Sequence, residues 1–197
     1  MEGSLLENRS DQELVGLAKE TYGDDMRPFE ALVRRYQRKV LVNCRYLTRA
    51  PNDAEDLAQE VFVKAYFGLR RFEERSKFST WLQRIKINHC LNYNEKKRGK
   101  YMVDVEEPGV EVEAGLYVAP KGPTQLESMD ERRRISSILD EMSDTLRVPL
   151  LLRDFDGLAY QEIADRLDVG LSAVKMRIKR AREEFRQRYA TMKERTA

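Results

Sequence analysis

In the segment DGLAYQEIADRLDVGLSAVKMRIKRARE, residues 156–183, the apolar residues Val174, Ile178 and Ala181 fall at steps of four and three, and Phe185 follows four residues on. That spacing is the inner stripe of an amphipathic helix. It leaves Lys175, Met176, Lys179 and Arg182 near one outer face, with Arg177 and Arg180 on its flanks. Just upstream, Ile163, Ala164 and Leu167 mark one face of a shorter helix, and Ala164 is small where two helices must cross closely. Residues 168–171 make the turn, and Ser172 is placed to cap the second helix. The chemistry this offers is recognition of duplex DNA by a helix-turn-helix. A major groove admits one helix and is read from the residues near its N-terminus. Ser172, Lys175, Met176 and Lys179 are therefore candidates for base edges. Arg177, Arg180 and Arg182 suit phosphates, where attraction is independent of sequence and sensitive to salt.

Two further groups of residues have chemistry of their own. The loop EERSK and the segment FSTWLQRIKINHCLNY combine Lys77, Arg84, Lys86, Asn88 and Asn92 with Phe78, Trp81 and Tyr93. Unpaired bases take ring faces for stacking, cations for the backbone and amides for base edges. Trp81 fits a core position beside Ile85 equally well. The other group is Asp53, Glu55, Asp56 and Glu60, interrupted by Gln59 and followed by Phe62 and Tyr66. Acids there repel DNA and suit a basic protein partner. A helix dipole alone explains acids in a first turn but not Gln59 and Glu60. The single histidine, His89, has no soft ligands near it in sequence, so a metal site is not expected and a core or surface role is the default. Asp53 and Asp56 share a helix without an identifiable third ligand, and no nucleophile stands beside an arginine cluster. No catalytic set and no cofactor site emerge, so an enzyme is not expected.

The elements that must position these residues read as helices throughout. Ser10 precedes Glu13 by three residues, a capping box that opens the first helix. Pro28 opens a second, with Phe29, Leu32, Val33, Tyr36, Val40, Cys44 and Leu47 inward. Asn52 and Glu55 are placed to cap a third, whose inner stripe is Leu57, Val61, Ala65 and Leu69. Ser79 or Thr80 is predicted to cap a fourth, its inner side Trp81 or Leu82, Ile85 and His89. Residues 99–123 hold glycines, three prolines and a run of acids without helical or strand period, and read as a linker. Thr124 then opens a helix to Met142, with Leu126, Met129, Ile135, Ile138 and Leu139 inward. Pro149 in the next helix calls for a place near its first turn or at a kink.

Composition agrees with small helical domains carrying charged working faces. Of 197 residues 36% are charged, and the net charge of +2 conceals an uneven spread. Residues 84–100 hold six Lys or Arg against one acid, residues 101–130 seven acids against one Lys, and residues 171–195 nine Lys or Arg against three acids. Cys44 and Cys90 are expected in the core, since two thiols make no disulfide framework. The chain shows no membrane-spanning run and no signal peptide, which points to a reducing, cytoplasmic setting. The expected fold is all-α, two small helical domains joined by a flexible acidic linker.

On these motifs the chain resembles the extracytoplasmic-function (group 4) sigma factors of the sigma-70 family. DGLAYQEIADRLDVGLSAVKMRIKRARE is similar to their region 4, DAEDLAQEVFVKAYFGLRRF to regions 2.1 and 2.2, and FSTWLQRIKINHCLNY to regions 2.3 and 2.4. The resemblance divides the chain into an N-terminal extension or first helix (1–24), region 2 (25–98), a linker (99–124), region 4 (125–190) and a tail (191–197). It implies a dissociable subunit that binds core RNA polymerase, through the clamp of β′ and the flap of β, and directs it to promoter DNA. Region 4 would read the −35 element. Region 2 would melt the −10 element, with Ser76, Lys77 and Phe78 in a base-capturing loop and Trp81, Arg84, Asn88 and Asn92 on the helix facing that DNA. Asp53, Asp56, Gln59, Glu60, Phe62 and Tyr66 would meet the β′ clamp helices. Glu106, Glu107, Glu111 and Glu113 would lie near the path of nascent RNA, or serve in a plain soluble tether. An anti-sigma factor covering both DNA-binding surfaces is implied as the usual control. Two departures touch −35 reading: Met176 stands where a small polar residue is expected, and Asp168 where glycine is frequent. The alternative is a stand-alone helix-turn-helix regulator, which accounts for residues 125–190 but gives the first domain's faces no task.

Overall fold

A computed structural model describes residues 6–97 and 125–194, with side chains 125–130 left out of the description. The predicted linker, residues 99–124, lies outside the described residues. The chain divides into two compact units, Met1–Val112 and Glu113–Ala197. Among the described residues all regular structure is helical.

The first unit is built around a central helix. α1 (Asp11–Glu20) starts at the predicted capping box: Ser10 and Glu13 exchange hydrogen bonds, closing the helix's first turn. It buries Leu14, Val15 and Ala18, so α1 is an integral wall of this unit. α2 (Arg27–Thr48) opens on Pro28 and ends at Arg49 in the left-handed region, φ 53°. Its stripe of Leu32, Val40, Cys44 and Leu47 is buried, while Val33 and Tyr36 are half-buried. α3 (Ala54–Gly68) and α4 (Phe78–Lys97) pack against α2 and against each other. Leu57, Val61, Ala65 and Leu69 form the inner stripe as the sequence predicts. A single 3-10 turn, Leu69–Arg71, leads out of α3.

Both cysteines are fully buried thiols. Cys90 on α4 and Cys44 on α2 place their sulfurs 3.6 Å apart at the helix contact. Farther along, the Asn94 side chain donates to the Leu47 carbonyl at 2.8 Å, tying the end of α4 to the end of α2.

Two predicted caps of this unit do not form. α3 begins after Asp53 with no side-chain cap, and Asn52 lies in the turn before it. α4 begins at Phe78, two residues before the latest cap expected: the Lys77 carbonyl accepts the first helical bond, from the Trp81 amide at 3.1 Å, and Phe78 is buried. The inner side of α4 is Leu82, Lys86, Ile87 and Cys90, and Ile85 and His89 are only half-buried. Lys86, taken from the sequence as a surface cation, is 2% exposed.

The second unit holds α5 (Gln125–Glu141), α6 (Asp144–Leu150), α7 (Tyr160–Leu167) and α8 (Leu171–Glu194). Ile138, Leu139, Met142 and Leu152 fill its centre with Ile163, Val174 and Ile178. Pro149 lies near the end of α6 instead of its first turn. The helix continues as a π turn, Leu151–Phe155, in which the Asp156 amide reaches back five residues to the Leu151 carbonyl at 2.9 Å. A proline withholds one donor from an α-helical ladder, and a widened turn is one way to resume it. α8 runs to Glu194, so most of the predicted tail is helix.

Candidate nucleic-acid and protein interfaces

In the second unit the recognition surface follows from one helical wheel. Val174, Ile178 and Ala181 are at most 1% exposed, and Ile163 and Ala164 of α7 are buried with them. Opposite that stripe, Ser172, Lys175, Met176, Lys179 and Arg180 are all exposed. The turn that sets α8 against α7 passes through Asp168 at φ 50°, ψ 51°, whose amide closes on the Ala164 carbonyl. The sequence noted aspartate where glycine is frequent; the left-handed backbone is the reason, and aspartate is one of the few other residues to visit it readily. α8 starts at Leu171, and the Gly170 carbonyl accepts its first bond from the Val174 amide at 3.1 Å. Ser172 is therefore inside the first turn and does not cap it.

Arg182 departs from its predicted place. At about 100° per residue it turns toward the α6 side, and Arg180 takes the outer position assigned to it. The Arg182 guanidinium grips the Asp154 carboxylate in a fork, Nε to Oδ2 at 2.9 Å and Nη2 to Oδ1 at 2.5 Å. Arg177 is half-buried on the other flank. Beside the fork, Ile135, Leu139, Leu150, Leu151, Phe155 and Phe185 line an apolar groove of about 390 Å³.

The first unit presents two faces. On α3, Asp56, Gln59 and Glu60 are exposed and lie within about 100° of one another. The same face carries Val63 and Phe67, 53% and 69% exposed, which sequence reasoning missed. Of the two aromatics expected here, Phe62 is 9% exposed in the core, whereas Tyr66 is half-buried at the edge of the face, stacked on Tyr22 at 4.7 Å and meeting Phe67 edge-on at 5.7 Å. The signal was available, because the correctly placed stripe of Leu57, Val61, Ala65 and Leu69 puts Val63 and Phe67 on the opposite side. Two of the acids are tied to α4. Asp53 accepts from the Tyr93 hydroxyl, a bond that holds the phenol's pKa above its ordinary value. Glu60 Oε2 lies 3.0 Å from His89 Nε2.

On α4, Trp81, Arg84, Asn88 and Asn92 fall within about 80° of one another, away from Leu82, Lys86 and Cys90. Asn88 is exposed, and Trp81, Arg84 and Asn92 are half-exposed. Trp81 stacks on Phe72 with ring centroids 4.7 Å apart and leans on Phe78 at 5.7 Å. Phe78 itself is buried between Tyr36, Phe72 and Trp81, so its ring is not available to a base. The loop before α4 leaves Lys77 exposed and Ser76 half-buried. α1 holds that loop, since Lys19 Nζ donates to the Phe72 carbonyl at 2.6 Å and pairs with Glu74 at 2.5 Å. Among the described residues no three His, Cys, Asp or Glu side chains gather as metal ligands, and no helix is long and apolar enough to cross a membrane.

Comparison with known proteins matches both units. Residues 32–99 match the family Sigma-70 region 2, and residues 132–185 match Sigma-70, region 4. The chain is 31% identical over 184 residues to the ECF RNA polymerase sigma-E factor of Haemophilus influenzae, a match covering 91% of this chain and 95% of that protein. It is 36% identical over 186 residues to the protein of the same name from Escherichia coli K12, covering 91% and 94%. Among solved structures it shares its fold with the sigma factor RpoE in complex with the anti-sigma factor NepR from Bartonella quintana, at a TM-score of 0.54 and 20% identity, covering 81% of this chain and 95% of that one.

Proposed function

The chain belongs to the extracytoplasmic-function group of the sigma-70 family, and from that premise we propose how its surfaces divide the work of an RNA polymerase sigma factor. As a member of that family it binds core RNA polymerase and directs it to promoter DNA. The family consists of non-enzymatic initiation factors, and phosphodiester synthesis belongs to the polymerase. The outer face of α8 reads the −35 element as duplex, through Ser172, Lys175, Met176 and Lys179, with Arg177 and Arg180 on phosphates. The outward row of α4, Trp81, Arg84, Asn88 and Asn92, meets the −10 element, with Ser76 and Lys77 beside it. Phe78 and Arg182 support these surfaces from behind.

The face of α3 meets the β′ clamp through Asp53, Asp56, Gln59 and Glu60 around Val63 and Phe67. The apolar groove between α5, α6 and α8 takes the β flap. An anti-sigma factor covering both DNA-binding surfaces keeps the subunit from the polymerase. The protein acts in the cytoplasm, where its polymerase is.

The observation that carries this reading over a stand-alone regulator is Phe67. A ring 69% exposed beside acids is poorly suited to a polyanion and well suited to a protein surface that is basic at its rim and apolar at its centre. The test is co-elution of the full chain with purified bacterial core polymerase in the absence of DNA. Saturable binding is expected, weakened about tenfold or more by Phe67→Ala, while affinity for duplex DNA is unchanged. An absence of core binding with duplex affinity retained would favour the stand-alone regulator.

A further inference from the structure

Met176 is an apolar side chain that the fold does not use. The inward residues of α8, Val174, Ile178 and Ala181, leave it about 190° away at the outermost line of the helix. It is 50% exposed, the one large apolar side chain left so exposed among the described residues of the second unit. Its neighbours on that face, Lys175, Lys179 and Arg180, are exposed cations. About two turns farther along the same line stands Glu183, also exposed. A carboxylate there is repelled by phosphates, so close groove contact is confined to the first turns of α8, where Met176 sits.

Most of what a major groove presents to these side chains is donors and acceptors, which suit Lys and Arg. Its apolar feature is the C5-methyl of thymine. A strongly hydrated ammonium gains nothing from that methyl, whereas a flexible, polarisable thioether packs on it. We infer that Met176 is a specificity-determining residue that reads a pyrimidine 5-methyl group in the −35 duplex and so favours thymine at one position. The inference rests on the −35 role proposed above for α8 and deepens it.

The test uses the full chain assembled with core polymerase and a −35 duplex chosen by selection from a random library. Each thymine is replaced in turn by deoxyuridine, which removes the methyl and leaves every hydrogen-bonding group in place. At one position the wild-type protein is expected to lose about fourfold in affinity, the worth of one buried methyl-sized group. Met176→Ala and Met176→Gln are expected to bind the thymine and deoxyuridine duplexes alike at that position. Two results overturn the inference while leaving the −35 role standing: indifference of the wild type to every such replacement in a duplex it otherwise selects, or a methyl preference undiminished in both variants. If the protein selects no duplex sequence at all, and Lys175→Ala weakens all duplexes equally, the −35 role fails and this inference fails with it.

Discussion

The two helices proposed to face DNA are built in different ways. On α8 the working side chains stand clear of the packing: Lys175, Met176, Lys179 and Arg180 are exposed, and the core is filled by other residues of the same helix. On α4 the candidate readers are woven into it. Trp81 lies against Phe72, Phe78 is enclosed, and Lys86 is buried. The neighbouring acids Asp53 and Glu60 are drawn toward Tyr93 and His89. A groove-reading helix needs only to be presented, so stability and specificity are carried by different residues. A surface that separates strands must hold its shape against stacked bases, and anchoring its readers in an aromatic cluster provides that stiffness. Substitutions should therefore separate folding from function in the second unit and confound them in the first.

The largest expected effect tests the confounding. Phe78→Ala should destabilise the first unit by about 3–5 kcal/mol, as for other buried phenylalanines. The chain's single tryptophan, Trp81, lies in this unit, so urea unfolding followed by tryptophan fluorescence reports on it selectively. If stability were intact and only promoter melting were lost, Phe78 would be a base-stacking ring after all and the contrast between the helices would be wrong. Lys175→Ala tests the opposite side. It should cost about 1–3 kcal/mol at the preferred −35 sequence with no change in melting temperature. A uniform loss across sequences would move Lys175 from base edge to phosphate. Arg182 is expected to break the pattern of its helix: its fork to Asp154 means Arg182→Ala should disturb the packing of α8 as well as DNA affinity.

How legible each face was follows from the same contrast. The wheel of α8 could be read directly, because apolar and charged residues separate cleanly, and the exposed set matches the expectation except that Arg180 and Arg182 exchange places. The inner stripe of α3 was equally legible. That stripe places Val63 and Phe67 directly opposite it, Tyr66 at the edge of the outer face and Phe62 nearer the core, so angular position separates these residues where aromatic type does not. On α4 Phe78 looked like a reader, because exposed stacking rings and core rings have the same composition; only the packing of Phe72 and Tyr36 around it distinguishes them. The caps show a related limit. Ser79 and Ser172 have the side chains that helix starts favour, but α4 and α8 begin earlier, at Phe78 and Leu171. The partnership of Lys19 with Glu74 joins residues far apart in sequence, and nothing local announces it.

A smaller effect concerns the turn that presents α8. Asp168 has φ 50°, and a left-handed backbone costs an ordinary L-residue about 1–2 kcal/mol that glycine avoids. Asp168→Gly is expected to stabilise the second unit by about 1 kcal/mol, since aspartate recovers part of that cost. Hydrogen exchange of the amides of α7 and α8 would show it as slower exchange. Binding to the −35 duplex should change little if presentation of the helix is already complete. A marked change in sequence preference would instead mean that the turn tunes how α8 enters the groove.

The smallest effect comes from a proton, and it separates the two units most sharply because His89 is the only histidine in the chain. Burial holds His89 below the ordinary histidine pKa; Lys64 and Lys96 push the same way, and Glu60 opposes them. With the folded pKa below the unfolded value of about 6.5, the unfolded chain takes up protons first as pH falls. Stability is then full above about pH 6.5 and declines as pH drops through the folded pKa. Urea midpoints followed by Trp81 fluorescence should fall between pH 7.5 and 5.5, and His89→Gln should flatten that slope. Exchange protection of α7 and α8 should not move over the same range. A midpoint that rose on acidification would show that the attraction of Glu60 outweighs burial. The contact between α3 and α4 would then be an ion pair strengthened by the proton, and the acidic face would be drawn further into the packing of the first unit.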